Sequence, residues 1–254
     1  MDAIKMVEIK TPAELELMRQ ASRIVAEVLA LLKPMVRAGV STAELNSFAE
    51  SGIRKRDAAP AFLGYRGYPA TLCVSINEEV VHGIPSDKRI IRDGDLVSLD
   101  LGSIYKGFYG DAAITVAVGA VKPECKRLME VTQRSLEAAL ARVKSGARLG
   151  DVSHAVESVV VENGMSVVRE FTGHGIGRHL HEEPSIPNYG RPGAGVTLKP
   201  GMTLAIEPMV CLGRPEIVIK NDGWTAVSAD GSCTAHFEHT VVVTEDGCEI
   251  LSAV

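Results

Sequence analysis

Sliding the chain along itself by 107 positions brings Gly39 onto Gly146, Gly94 onto Gly201, and the run Asp95 to Asp100 onto Met202 to Glu207. A self-match at that distance fits two related halves sharing one sheet, not a solenoid of short units. Thr11-Pro12-Ala13-Glu14 is a capping box with proline at the first helical position. Leu15, Met18, Ser22, Val25, Leu29 and Leu32 give that helix one mostly apolar stripe, and Lys33-Pro34 ends it. Ser41-Thr42-Ala43-Glu44 opens a second helix with Leu45, Phe48, Ala49 and Ile53 inward. Leu96 to Leu101 and Phe108 to Val118 flank Tyr105-Lys106-Gly107 and predict a β-hairpin.

The same order returns in the second half. Pro123 starts a helix with Leu128, Val131, Ser135, Leu136, Ala139 and Val143 on one face, and Asp151 starts another that closes at Asn163-Gly164. Met202 to Ile206, Phe237 to Val243 and Cys248 to Leu251 read as strands. The expected fold class is α+β, one domain over residues 1–254, with related halves at about 10–120 and 121–251. Helices should cover one face of a mostly antiparallel sheet.

The 254 residues suffice for a large core, and a net charge of -5 gives no electrostatic reason to expect nucleic acid or an anionic membrane. The start is charged from Asp2 onward, and no run of about 18 apolar residues occurs. Five cysteines, odd in number and without a C-x-x-C pair, indicate reduced thiols and no structural zinc. A soluble, cytoplasmic protein is expected.

Between Phe171 and Pro184 lie three histidines, two glutamates and Gly173, Gly175 and Gly177. The spacing G-x-G-x-G is not the dinucleotide fingerprint, and His181-Glu182-Glu183-Pro184-Ser185 is not H-E-x-x-H. No G-x-S-x-G elbow appears either. The informative acids lie elsewhere. A two-residue turn at Tyr105-Lys106 would set Asp100 directly opposite Asp111, on the strand face away from Val97, Leu99 and Leu101. Like charges so opposed need a proton or cation between them. Glu207 and Glu238 each interrupt an apolar strand, where an unpaired carboxylate would cost several kcal/mol. Four carboxylates and an imidazole are too oxygen-rich for a structural zinc and suit two divalent ions sharing bridging carboxylates.

Tyr65-x-Gly67-Tyr68-Pro69 to Asn77, Val81-His82-Gly83-Ile84-Pro85, Asp100 with Asp111, Gly173-His174-Gly175-Ile176-Gly177, His181-Glu182-Glu183-Pro184, Ala205-Ile206-Glu207-Pro208, Asp222-Gly223-Trp224 and Phe237-Glu238-His239-Thr240 together resemble the type I methionine aminopeptidases, from about Ile9 to Leu251. The resemblance implies the pita-bread fold of two pseudo-symmetric halves. It also implies a dinuclear centre on Asp100, Asp111, His174, Glu207 and Glu238, holding two divalent ions (Co, Mn, Fe or Zn). The expected activity is removal of the N-terminal methionine of nascent proteins when the second residue is small, by water activated at the metal pair.

By the same resemblance Glu207 is the acid/base, while His82 and His181 contact substrate. Tyr65, Tyr68, Cys73 and Trp224 line a thioether pocket. Phe62, Arg66 and Leu180 depart from the pattern of bacterial members and could reshape the pocket rim. The partners implied are nascent N-termini and the ribosome, for a monomer. His154 is expected to be structural, His179 and His236 to face solvent, and His239 to stand behind the ligands or in the core.

Related proline-specific aminopeptidases and prolidases share the five ligands but typically carry an extra N-terminal domain, whereas here the first helix starts at Thr11. The gap from His174 to Glu207 leaves no room for the helical insertion of type II enzymes. A non-catalytic relative of the same fold would have lost ligands, and all five positions stand.

Overall fold

The computed structural model describes residues 7–253. Residues 1–6 and 254, included in the expected 1–254 domain and in the charged start at Asp2, lie outside them. Both capping boxes open helices. Thr11 accepts the Glu14 N–H while Glu14 accepts the Thr11 N–H at 2.8 Å, starting α1 (Pro12–Leu32). Ser41 and Glu44 repeat this for α2 (Thr42–Arg54). Five strands follow: β1 (Ala59–Pro60), β2 (Leu72–Ile76), β3 (Glu79–Val81), β4 (Leu96–Tyr105) and β5 (Phe108–Ala117).

The second half opens with α3 (Pro123–Leu140) and α4 (Leu149–Glu162). Helix α4 begins two residues before Asp151, whose carboxylate accepts the Arg148 N–H at 3.1 Å from inside the first turn. Val143, expected on the stripe of α3, lies beyond its end but is buried in the same core. Then come β6 (Ser166–Val167), β7 (Thr172–Gly175), β8 (Glu182–Pro187), β9 (Thr203–Ile206) and β10 (Met209–Cys211). The chain continues through β11 (Ile217–Ile219), β12 (Ala226–Ser228), β13 (Thr234–His236), β14 (Glu238–Val243) and β15 (Cys248–Ile250).

Strands β1-β4-β5-β14-β9-β7-β8 form the path of the main sheet, with β2 also on β4 and β15 also on β14; every ladder is antiparallel. The halves meet where β14 runs between β5 and β9, with His239 opposite both Ala112 and Ile206. Val97, Leu99 and Leu101 pack with Val25, Val28 and Leu29 of α1 and Leu45 and Ile53 of α2. Leu204, Ile206 and Val241 pack likewise with residues of α3 and α4. Each such side chain contributes about 1.5–3 kcal/mol by leaving water. The alternate positions on these strands are left for the other face, where the acids stand.

The hairpin register differs from the expected one. Tyr105 pairs with Phe108, so the turn is Lys106-Gly107, and Asp100 faces Ala113 while Asp111 faces Gly102. Lys106 (φ 48°) and Gly107 (φ 84°) both take the left-handed conformation, as a type I′ turn requires. Moving the turn by one residue shifts the register by two. Asp100 and Asp111 are therefore diagonal neighbours, not opposed ones, but they keep the same face.

Candidate metal centre

The acids converge because strands from both halves deliver them. Asp100 comes from the middle of β4, Asp111 from β5, Glu207 from the residue after β9, and Glu238 from the first position of β14. His174 comes from β7. All five line one cavity of about 310 Å³, together with His82, His181, Tyr65, Tyr68, Cys73 and Trp224. Every residue expected at the site is thus brought to one place. Phe62, Arg66 and Leu180 are on its wall too, and so are Glu170, Phe171 and Thr172, for which the sequence suggested no separate role.

Among the described residues two groups have donor atoms within 4.8 Å of one another: Asp111, His174 and Glu238, and Glu207, His236 and Glu238. Glu238 belongs to both. His236 was expected in solvent, yet it is 1% exposed, with Nε2 3.4 Å from Glu207 Oε2. The sequence carried a signal for it: His236 and Glu238 are two apart, so extended backbone turns both toward the same side. Its backbone is tied down as well, since its N–H donates to Thr115 Oγ1 and its carbonyl accepts from the same hydroxyl.

Of the other histidines, His179 is exposed as expected. His154 is exposed on α4, where its ring bonds Ser158. His239 turns away from the acids and bonds Ser252 Oγ at 2.9 Å.

Electrostatics mark the acids as a set that needs a cation. Asp100 Oδ1, Asp111 Oδ1, Glu238 Oε1 and His236 Nε2 are buried without a hydrogen-bond partner among the described residues. Burial, reinforced by neighbouring carboxylates, pushes Asp111 and Glu238 well above the ordinary carboxylate range. Burial raises Glu207 to about 8, and burial with the Glu207 charge raises Asp100 to about 7. Burial also lowers His174 to about 3, keeping its imidazole neutral and able to coordinate. Carboxylate-rich donors with neutral imidazoles suit divalent first-row ions, so these residues could hold metal.

Around the acids stands the organic half of the site. Tyr68 is buried, its ring edge-on to Trp224 at 5.2 Å and its hydroxyl donating to Gly83 O at 3.0 Å. Burial raises the Cys73 thiol far above its ordinary value, so Cys73 presents an uncharged sulfur. His82 sits in the left-handed region (φ 61°), a strained conformation of the kind that clusters at functional sites, with its ring edge-on to Phe171 at 5.2 Å. Tyr65 Oη lies 2.8 Å from His181 Nδ1, and the His181 ring centroid is 4.3 Å from that of His174. The nearby glycines serve close packing. A Cβ on Gly175 would lie 2.1 Å from Glu183 O, and one on Gly177 would run into the Lys10 side chain.

The profile of Metallopeptidase family M24 matches residues 16–245. "Methionine aminopeptidase 1" of Bacillus subtilis (strain 168) is 49% identical over 249 residues, covering 98% of this chain and all of that protein. The crystal structure of methionine aminopeptidase from Thermotoga maritima superposes with a TM-score of 0.97 at 48% identity, covering 98% of this chain and 100% of the other. An Xaa-Pro dipeptidase from Bacillus anthracis, 24% identical, shares the fold with a TM-score of 0.78, though the match covers only 62% of that longer chain. The fold is therefore the pita-bread fold. With the profile spanning most of the sequence, the chain belongs to metallopeptidase family M24.

Proposed function

We propose that the chain is a methionine aminopeptidase, a single catalytic domain that removes the N-terminal methionine of nascent proteins when the second residue is small. The observation that carries the reading is one cavity in which unpartnered carboxylate oxygens meet an aromatic and thiol-lined slot. The slot accounts for methionine: an unbranched thioether fits against Tyr65, Tyr68, Trp224 and the uncharged Cys73, with favourable sulfur–aromatic contact.

Asp100, Asp111, His174, Glu207 and Glu238 would hold two divalent ions, Co, Mn, Fe or Zn. Support comes from the two donor groups that share Glu238. When bound, such ions supply Lewis acidity, lowering the pKa of water and polarising a carbonyl oxygen. The chain's own residues do the rest. Glu207, whose carboxyl keeps a raised affinity for protons, takes one from the attacking water and delivers it to the leaving amine. In the tautomer in which the Tyr65 hydroxyl donates to His181 Nδ1, Nε2–H is left to donate to the carbonyl oxygen as it gains charge. His82, lowered to about 4 chiefly by burial, is neutral at pH 7 and hydrogen-bonds near the scissile amide.

The substrates would be emerging N-termini in the cytoplasm, met by a monomer near the ribosome. Among the described residues no helix is long and apolar enough to cross a membrane. The experiment compares Met-Ala and Xaa-Pro peptides on metal-reconstituted protein. Faster cleavage of Met-Ala is expected, and faster cleavage of Xaa-Pro would overturn the assignment.

A further inference from the structure

Outside the cavity, one buried ion pair has no role in the reaction described above. Lys10, two residues before α1, has a side chain only 2% exposed, and its Nζ lies 2.6 Å from Glu182 Oε2. Its other carboxylate contact, Glu8 at 3.4 Å, is with an exposed side chain. Glu182 immediately follows His181, and its second oxygen accepts the His179 N–H at 3.0 Å. Lys10 therefore grips the loop that joins β7 to β8, residues 176–181, at the end that bears His181.

The surrounding contacts point the same way. Lys10 is itself anchored, its N–H donating to Gly201 O at 2.9 Å just ahead of β9. Gly177 lacks the Cβ that would collide with Lys10 Cε, so the loop backbone lies directly on the lysine stem. From the first turn of α1, Glu14 holds Arg178 of the same loop at 2.7 Å. Neither Lys10 nor Glu182 lines the cavity. A charge buried this deeply is costly unless it is paired, and Glu182 is the buried partner that offsets the cost for Lys10.

We propose that Lys10 is a positioning residue: acting through Glu182, it fixes the β7–β8 loop so that the His181 imidazole meets the substrate carbonyl. The proposal rests on the role given to His181 above, and the test separates the two. On metal-loaded protein with a Met-Ala peptide, Lys10→Met should lower kcat about tenfold, as a small misplacement of a catalytic group does, with KM changed less than about twofold. Metal affinity, read by calorimetry, should stay at the wild-type value.

The deciding measurement is a double-mutant cycle, because Lys10 and His181 do not touch. If Lys10 acts through His181, adding K10M to His181→Ala lowers kcat no further. Multiplicative losses, an unchanged kcat in K10M alone, or a kcat loss that tracks weakened metal binding would each overturn the proposal. An H181A variant with normal kcat would instead remove the role of His181 itself. Should K10M fail to fold with Glu182 left unpaired, the K10M/E182Q pair, which buries no lone charge, takes its place in the same cycle.

Discussion

Glu207 stands between two imidazoles, with Oε1 3.5 Å from His174 Nε2 and Oε2 3.4 Å from His236 Nε2. Glu207→Gln keeps the shape and removes both the charge and the proton affinity. It should lower kcat by roughly 10²–10⁴ and weaken metal binding, as checked by turnover and by titration of the ion; near-normal turnover with bound metal would remove Glu207 from its acid/base role. Because the buried carboxyls hold protons above their ordinary range, an ion must displace those protons as it binds. Calorimetry at pH 6.5 in buffers of different ionisation enthalpy should reveal net proton release, and the same heat in every buffer would contradict it. At this scale the motifs singled out the five expected donors and the pocket residues, which the fold gathers at one cavity. His236 was legible only through its two-residue spacing from Glu238, since its immediate neighbours, alanine and phenylalanine, do not by themselves mark the imidazole as buried. What anchors its backbone is Thr115 on a distant strand.

Elements were legible where a local chemical signal marks them, as at the two capping boxes, and less so where tertiary geometry decides. The β4–β5 hairpin was evident from its two apolar runs, but its register turned on which two of Tyr105, Lys106 and Gly107 form the turn. Backbone torsion decides that: Gly107 at φ 84° costs nothing, and Lys106 tolerates φ 48° beside it. No atom lies within 4 Å of where a Gly107 Cβ would stand, so the cost of Gly107→Val is torsional. That variant should lose about 1–2 kcal/mol in urea unfolding. It should retain most of its kcat, since the turn lies away from the cavity wall. A loss of activity without a loss of stability would mean that the turn does more than set the register. The alternation of branched aliphatics with Ser98 and Asp100 survived the register shift because a slip of two residues leaves every side chain on its own face.

At the scale of the whole molecule, the centre sets the protein's stability against pH, and the sign differs between its two kinds of group. Glu207 rises from 4.5 to about 8 and Asp100 from 3.8 to about 7, so the metal-free fold binds more protons than the unfolded chain in between. Stability from these groups is full below the unfolded values and is lost as pH rises through the folded ones. His174 and His82 fall from 6.5 to about 3 and about 4, so their contribution is full above 6.5 and is lost as pH drops toward those values. Between pH 6.5 and 8 the carboxyls dominate, because each depressed histidine regains only about 0.4 kcal/mol as its unfolded form finishes deprotonating. Over that range the metal-free protein should lose roughly 1–2 kcal/mol from Glu207 alone, with Tm falling accordingly. A bound cation pairs with the ionised carboxylates and removes the penalty, so metal-loaded protein should hold its Tm across the same range. The difference in Tm between loaded and metal-free protein, followed by scanning calorimetry, should therefore widen from pH 6.5 to pH 8. A difference that stays constant or narrows would mean that the carboxyls are not what the cation neutralises.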